Sequence, residues 1–159
     1  LTFAETRGLR SQHSEIRIRA RALRLLARRE HSRAELRAKL SPHAEDKDAL
    51  ESLLTALERE GLLSDRRFAE ELAHVRRRRY GSQRIGHELR QKGVAEELAD
   101  EMVARLRTDE VQAAREVWRK KFRRLPADAK ERAKQMRFLQ SRGFGLDVIR
   151  RVLKGDDAD

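Results

Sequence analysis

Leu89-Arg90-Gln91-Lys92-Gly93-Val94 returns at Leu139-Gln140-Ser141-Arg142-Gly143-Phe144, and this pair of phrases decides the fold. In each, a leucine is followed four residues later by glycine and then by an apolar residue. That spacing is a helix stop, with glycine in the left-handed position and the flanking apolar residues closing over the end. Leu57, Gly61 and Leu62 spell a third such stop. The likeness continues past the glycines, with Leu98, Met102 and Val103 matching Val148, Val152 and Leu153 at the same offset of 50 residues. A fainter copy, Leu36-Arg37-Ala38-Lys39-Leu40, lies 53 residues before Leu89, its loop rewritten around Pro42. A period near 50 residues with three helices in each reads as a tandem helical repeat.

Between the stops, apolar residues recur at helical intervals. Leu50, Leu53, Leu54 and Leu57 make one stripe and Phe68, Leu72 and Val75 another; Leu98, Met102 and Leu106 make a third, Val111, Ala114, Trp118 and Phe122 a fourth, and Ile149, Val152 and Leu153 a fifth. Sustained period-two alternation is missing, so the chain reads as all-α. Ser32 with Glu35 spells a capping box, and Asp128 with Glu131 offers a similar start after Pro126. Three three-helix repeats are expected over 16–60, 61–107 and 108–154, with frayed tails at 1–15 and 155–159. Charged residues are 41% and apolar residues 38% of the chain, too thin a supply for one thick core. An elongated solenoid is therefore expected.

Four ordered phrases resemble the RecX family. They are residues 29–36 (Arg-Glu-His-Ser-Arg-Ala-Glu-Leu) with Lys39-Leu40; residues 61–69 (Gly-Leu-Leu-Ser-Asp-Arg-Arg-Phe-Ala); Gly81-Ser82-Gln83-Arg84-Ile85 with Glu88-Leu89 and Lys92-Gly93-Val94; and Arg137-Phe138-Leu139 with Arg142-Gly143-Phe144. Ser64 stands where an acidic residue is common in the family, an exchange that a helix N-cap tolerates. The resemblance implies three tandem three-helix units in a curved solenoid. It also implies a non-catalytic, cytoplasmic regulator of DNA repair, recombination and the SOS response. Such a protein binds the RecA filament on DNA and suppresses ATP hydrolysis, strand exchange and co-protease activity.

The residues themselves say less about function but agree in direction. Thirty-eight basic residues against 27 acidic ones leave a net charge of +11, which draws in nucleic acid, anionic membranes or acidic protein. Cysteine is absent, which removes disulfides and thiol chemistry. The longest apolar runs are too short for a membrane span, and Leu1–Ala20 lacks a signal-peptide core. The chain starts at Leu1 rather than methionine, so a short piece is expected to precede it.

Two basic clusters exceed what helix dipoles need, Arg76, Arg77, Arg78 and Arg79 with Tyr80 beside them, and Arg115, Arg119, Lys120, Lys121, Arg123 and Arg124. Arg84, Lys92 and Arg142 recur around the second helices of the last two repeats, where Lys92 and Arg142 also suit C-caps. All of these except Lys121 are the candidate contacts for a RecA filament or for DNA, with no cofactor, metal or membrane and the chain acting as a monomer. Phe68, Trp118, Phe122 and Phe138 read as core, Phe144 as a helix-stop contact, and Tyr80 as the one exposed ring. His13, His31, His43, His74 and His87 share no metal-ligand spacing and read as surface or cap residues. No phosphate loop, zinc helix or isolated carboxylate pair nominates a catalytic centre.

A helix-turn-helix DNA reader is the main rival, since its units have this size. Its recognition helix needs donors at its exposed start. Here the third helices open with Asp48, with Glu96 and Glu97, and with Asp147, which repel phosphate. A hydrolase and a basic structural scaffold are the remaining alternatives.

Overall fold

The computed structural model describes residues 1–155, and every regular element in that span is helical. In order these are α1 (Phe3–Arg28), α2 (Arg33–Leu40), a 3-10 turn (Ser41–His43), α3 (Lys47–Arg59), α4 (Asp65–Arg76), α5 (Ser82–Gln91), α6 (Glu96–Arg107), α7 (Glu110–Lys121), α8 (Ala129–Ser141) and α9 (Leu146–Leu153). They group as three successive triplets. By contacts the chain forms two compact units, residues 1–68 and the remainder from Ala69 onward.

All three glycine stops form. Gly61, Gly93 and Gly143 have φ of 76°, 82° and 92°. Leu57 accepts the Leu62 N–H at 2.9 Å, Leu89 the Val94 N–H at 3.1 Å and Leu139 the Phe144 N–H at 3.2 Å, the 6→1 bond of the Schellman turn. One detail departs from expectation. Leu62 is 42% exposed, and Leu63 provides the buried contact instead, its own N–H also reaching the Leu57 carbonyl at 3.2 Å.

The first unit packs Ile18 and Ala22 of α1 against Leu36 and Leu40 of α2, Leu50, Leu54 and Leu57 of α3, and Leu63. Each fully buried leucine contributes about 1.5–3 kcal/mol by leaving water. The expected tail at 1–15 is a correction. Thr2 and Glu5 form a reciprocal capping box, at 2.7 and 3.2 Å, and α1 runs unbroken through the rest of the segment. Its early apolar residues, Phe3, Leu9 and Ile16, stay exposed, so no buried stripe announces the helix. The other expected tail, 155–159, falls outside the described residues except for Gly155, which ends α9 in a turn.

His31 is a second correction. It is buried rather than a surface or cap residue, 1% exposed, with Nδ1 3.0 Å from the Arg29 carbonyl and Nε2 3.1 Å from Lys39 Nζ. Loss of hydration pushes its pKa below the ordinary value. A neutral ring then places its proton on Nδ1 and leaves Nε2 to accept from Lys39.

In the second unit, α7 and α9 close over Ala114, Val117, Leu139, Phe144, Ile149 and Val152. Phe68 and Phe144 are buried as expected, whereas Trp118, Phe122 and Phe138 are only partly so. Trp118 Nε1 donates to the buried Gln135 at 2.8 Å, and Gln135 Nε2 donates to the Arg124 carbonyl at 3.1 Å. That amide thus pins the loop after α7. The start of α5 docks onto the stop after α8 through backbone. Gly81 N–H reaches the Arg142 carbonyl at 2.6 Å and Gln83 N–H the Gly143 carbonyl at 3.3 Å. A Cβ at Gly81 would lie 2.5 Å from the Gly143 oxygen, so only glycine permits this approach.

Candidate functional site

The arginine run at 76–79 separates into residues with different roles. Arg76 ends α4 and grips Glu88 of α5, with Nε 3.1 and 3.2 Å from the two carboxylate oxygens and Nη2 at 3.1 Å. This pairing raises the guanidinium pKa and fastens α4 to α5. Arg76, a candidate contact, thus has a structural role within the fold as well. Arg77 faces Asp109 loosely, at 3.9 Å in a solvated pair. Arg78 and Arg79 are exposed and make no ion pair among the described residues.

Tyr80 is half-buried rather than a bare exposed ring, because cations cover it. Arg84 lies over the ring at 4.0 Å and Arg142 at 5.5 Å from its centroid. Arg84 also donates to the Ser141 carbonyl at 3.0 Å, so it helps join α5 to the end of α8. Arg142 reaches a second ring, Phe138, at 5.1 Å, and Lys121 lies over that same ring at 5.7 Å. Phe122 meets Phe138 edge-on at 5.4 Å.

These contacts form one alternating relay of cations and rings, Arg84 to Tyr80 to Arg142 to Phe138 to Lys121. It joins the two basic clusters that the sequence presents as separate. Tyr80 directly follows Arg79, and Lys121 directly precedes the loop carrying Arg123 and Arg124, which make no ion pair among the described residues. A guanidinium stacked on a ring keeps its planar N–H edge for carboxylate or phosphate. Lys120 is exposed on the last turn of α7, while Arg119 is tied to Glu116 at 3.1 Å. Arg115 contacts Gln112 at 3.4 Å. Lys92 caps α5 and is half-buried.

The relay is hidden in the sequence because Phe138, the ring that carries it from Arg142 to Lys121, reads as core, while Tyr80 reads as an isolated exposed ring. The one signal for it is the position of Phe138 one turn before Arg142, a spacing that stacks a ring and a cation on one helix face. A second feature escapes an apolar reading altogether. Arg10, Arg17, Arg21 and Arg24 of α1 line a groove of about 780 Å³ in the first unit. Their intervals of seven, four and three residues mark a helical stripe written in charge rather than in apolar residues.

Comparison with known proteins matches all three triplets. Residues 19–54, 64–103 and 108–153 match the first, second and third three-helix domains of RecX, in that order. A protein of Ralstonia nicotianae named Regulatory protein RecX is 49% identical over 141 residues, covering 89% of each chain. The chain belongs to the RecX family. A second RecX relative, from Leptothrix cholodnii, is 48% identical over 145 residues, 91% of this chain and 92% of the relative. The crystal structure of RecX from Lactobacillus salivarius superposes with a TM-score of 0.78 at 20% identity, over 90% of this chain and 96% of that one. Another RecX crystal structure gives 0.80 at 19% identity, over 97% and 80%. The RecX fold, three tandem three-helix domains with no strand among the described residues, is thus shared. No helix among the described residues is long and apolar enough to cross a membrane.

Proposed function

We propose that this RecX-family regulator binds the RecA recombinase filament on DNA and restrains its ATP hydrolysis, strand exchange and co-protease activity. The observation that carries this reading is the ordered match of all three domains, with relatives near half identity over most of the chain. The chain acts as a cytoplasmic monomer and needs no cofactor, because its work is to occupy a surface.

The cation and ring relay of the second unit supplies the contact. A nucleoprotein filament offers phosphate and acidic side chains close together, and both are recognised by fixed guanidinium edges. Arg78, Arg79, Lys120, Arg123 and Arg124 extend that edge with charges not committed to ion pairs among the described residues. Arg84 and Arg142 offer those stacked edges and at the same time hold the surface together. The helix-turn-helix reading gains nothing from the geometry, since Glu96 and Asp100 near the start of α6 are tied to Arg90 at 2.9 and 2.8 Å. An acidic, internally paired helix start is a poor reader of bases.

Co-sedimentation with RecA filaments assembled on single-stranded DNA tests the binding. The chain should pellet with the filaments at moderate salt and be released as salt screens the contact. A chain that stays in the supernatant with filaments present would remove the reading.

A further inference from the structure

We propose that the arginine line of α1 is a second anion-binding surface, built to lie along the phosphodiester backbone of a nucleic-acid strand. It is separate from the relay in the second unit and does not depend on RecA.

The line is regular. At 100° per residue Arg10, Arg17, Arg21 and Arg24 fall within an arc of about 60°, and they extend over about 21 Å of helix. Arg28 continues the same line. The four arginines form one wall of the groove, with His13 and Ser14 between them and His43 opposite. Glu45 is the one carboxylate on the lining. The four are exposed, and none makes an ion pair among the described residues. Neighbouring arginines differ. Arg19 is held by Glu60 at 2.6 Å and Arg29 by Glu35.

A solvated helix does not need this pattern. Soluble helices interleave carboxylates at i+3 and i+4, each such pair stabilising by about 0.2–0.5 kcal/mol, while like charges at those spacings cost similar amounts. Between Arg7 and Arg28 only Glu15 is acidic. Arg17 with Arg21, Arg21 with Arg24, and Arg24 with Arg28 all repel. An arrangement that is unfavourable alone becomes favourable once an anion lies along it.

The form of the line selects a linear polyanion. Its length of about 21 Å spans several successive phosphates of one strand. A protein partner would centre on a large aromatic or apolar anchor, and the groove lining holds no Phe, Tyr or Trp and only Ile18, itself buried, and Ala20 as apolar members. The exposed Leu9, Ile16 and Leu23 sit on a different stripe, about 90–130° around the helix. A basic helix with such a stripe could instead lie on an anionic bilayer, so the test includes that surface.

The experiment uses the full chain without RecA. Binding to a fluorescent duplex of roughly 20 base pairs, and to phosphatidylserine vesicles, is measured as salt is raised. The variants are Arg17→Gln with Arg21→Gln and Arg24→Gln, and the same three positions changed to Lys. The Gln triple should bind the duplex about tenfold or more weakly, with the log–log salt slope shallower by about 0.9 for each phosphate it no longer neutralises. The Lys triple should keep the steep slope, because charge rather than shape carries the binding. Wild-type affinity and slope in the Gln triple would overturn the proposal. So would a folded Lys triple that behaves like the Gln triple, or a Gln triple that loses only vesicle binding. RecA co-sedimentation can fail independently of all these outcomes.

Discussion

Glu110 caps a helix to which it does not belong. From the start of α7 its Oε1 accepts the backbone N–H of Ser82 at 2.8 Å and its Oε2 accepts the Ser82 hydroxyl at 2.9 Å. Both residues are buried, so the free N-terminus of α5 is satisfied by the next repeat. The same device occurs one repeat earlier, where Asp65 Oδ1 of α4 accepts the Arg33 N–H of α2 at 2.7 Å. In the last repeat α8 is capped locally, Asp128 Oδ1 taking the Glu131 N–H at 2.8 Å. Successive repeats are thus coupled by exchanging helix caps.

Removing a cap from a buried site should therefore cost more than removing an ordinary one. Glu110→Ala leaves the N–H and hydroxyl of Ser82 without their partner, a penalty of about 1–3 kcal/mol for each buried group. Asp128→Ala, at an exposed cap, should cost about 1 kcal/mol. Urea unfolding of the two variants checks the order, and equal midpoints would show that the exchange of caps adds nothing.

Two glycines with similar backbone angles should respond differently to alanine. Gly61 at φ 76° has open space where a Cβ would stand, whereas at Gly143, φ 92°, the added carbon would collide with Arg84 of α5. Gly61→Ala should cost only left-handed strain, about 1–2 kcal/mol. Gly143→Ala should cost clearly more and should loosen α5, visible as faster amide exchange at Gln83 and Ile85. Matching melting temperatures for the two variants would contradict the close docking.

Acid should weaken the first unit through Glu51. Hydrogen bonds from Arg37 and then Arg33 hold its carboxyl well below the ordinary 4.5, at about 2. A carboxyl depressed in the folded state stabilises above its unfolded pKa, and that contribution is lost as pH falls from about 4.5 through about 2. The pair is solvated, so the effect is modest. The stability gap between the wild type and Glu51→Gln should shrink steadily across that window. A gap that is constant from neutral pH to about 2 would mean the ion pairs do not contribute.

Within the basic surface, inhibition and stability should separate. Arg76→Ala breaks the fork to Glu88 and should lower stability. Arg79→Glu with Lys120→Glu and Arg123→Glu should leave the melting temperature unchanged and remove most inhibition of RecA. Single changes should be slight, since isolated exposed contacts are worth about 0–1 kcal/mol. A folded triple variant with full inhibition would place the binding surface elsewhere.

Local chemistry makes much of the fold readable. The stop at Gly143 depends on residues within six positions of each other, so its Schellman bonds follow from the phrase alone. The apolar stripe of α3 is equally plain, since Leu50, Leu54 and Leu57 do pack inward. The first half of α1 escapes such a reading because its periodicity is carried by arginine. Glu110 and Asp65 cannot be recognised as caps from sequence, because their partners lie 28 and 32 residues away and no local motif links them. For the same reason Arg76 looks like a free cation until the fold brings Glu88 beside it. Whether a charge binds a partner or its own fold is decided by tertiary neighbours.

ATP hydrolysis by RecA on single-stranded DNA, with this chain titrated in, tests the central claim most directly. Turnover should fall when the chain is still below the concentration of RecA, and the chain alone should hydrolyse no ATP. Unchanged RecA turnover at equimolar chain would contradict the account.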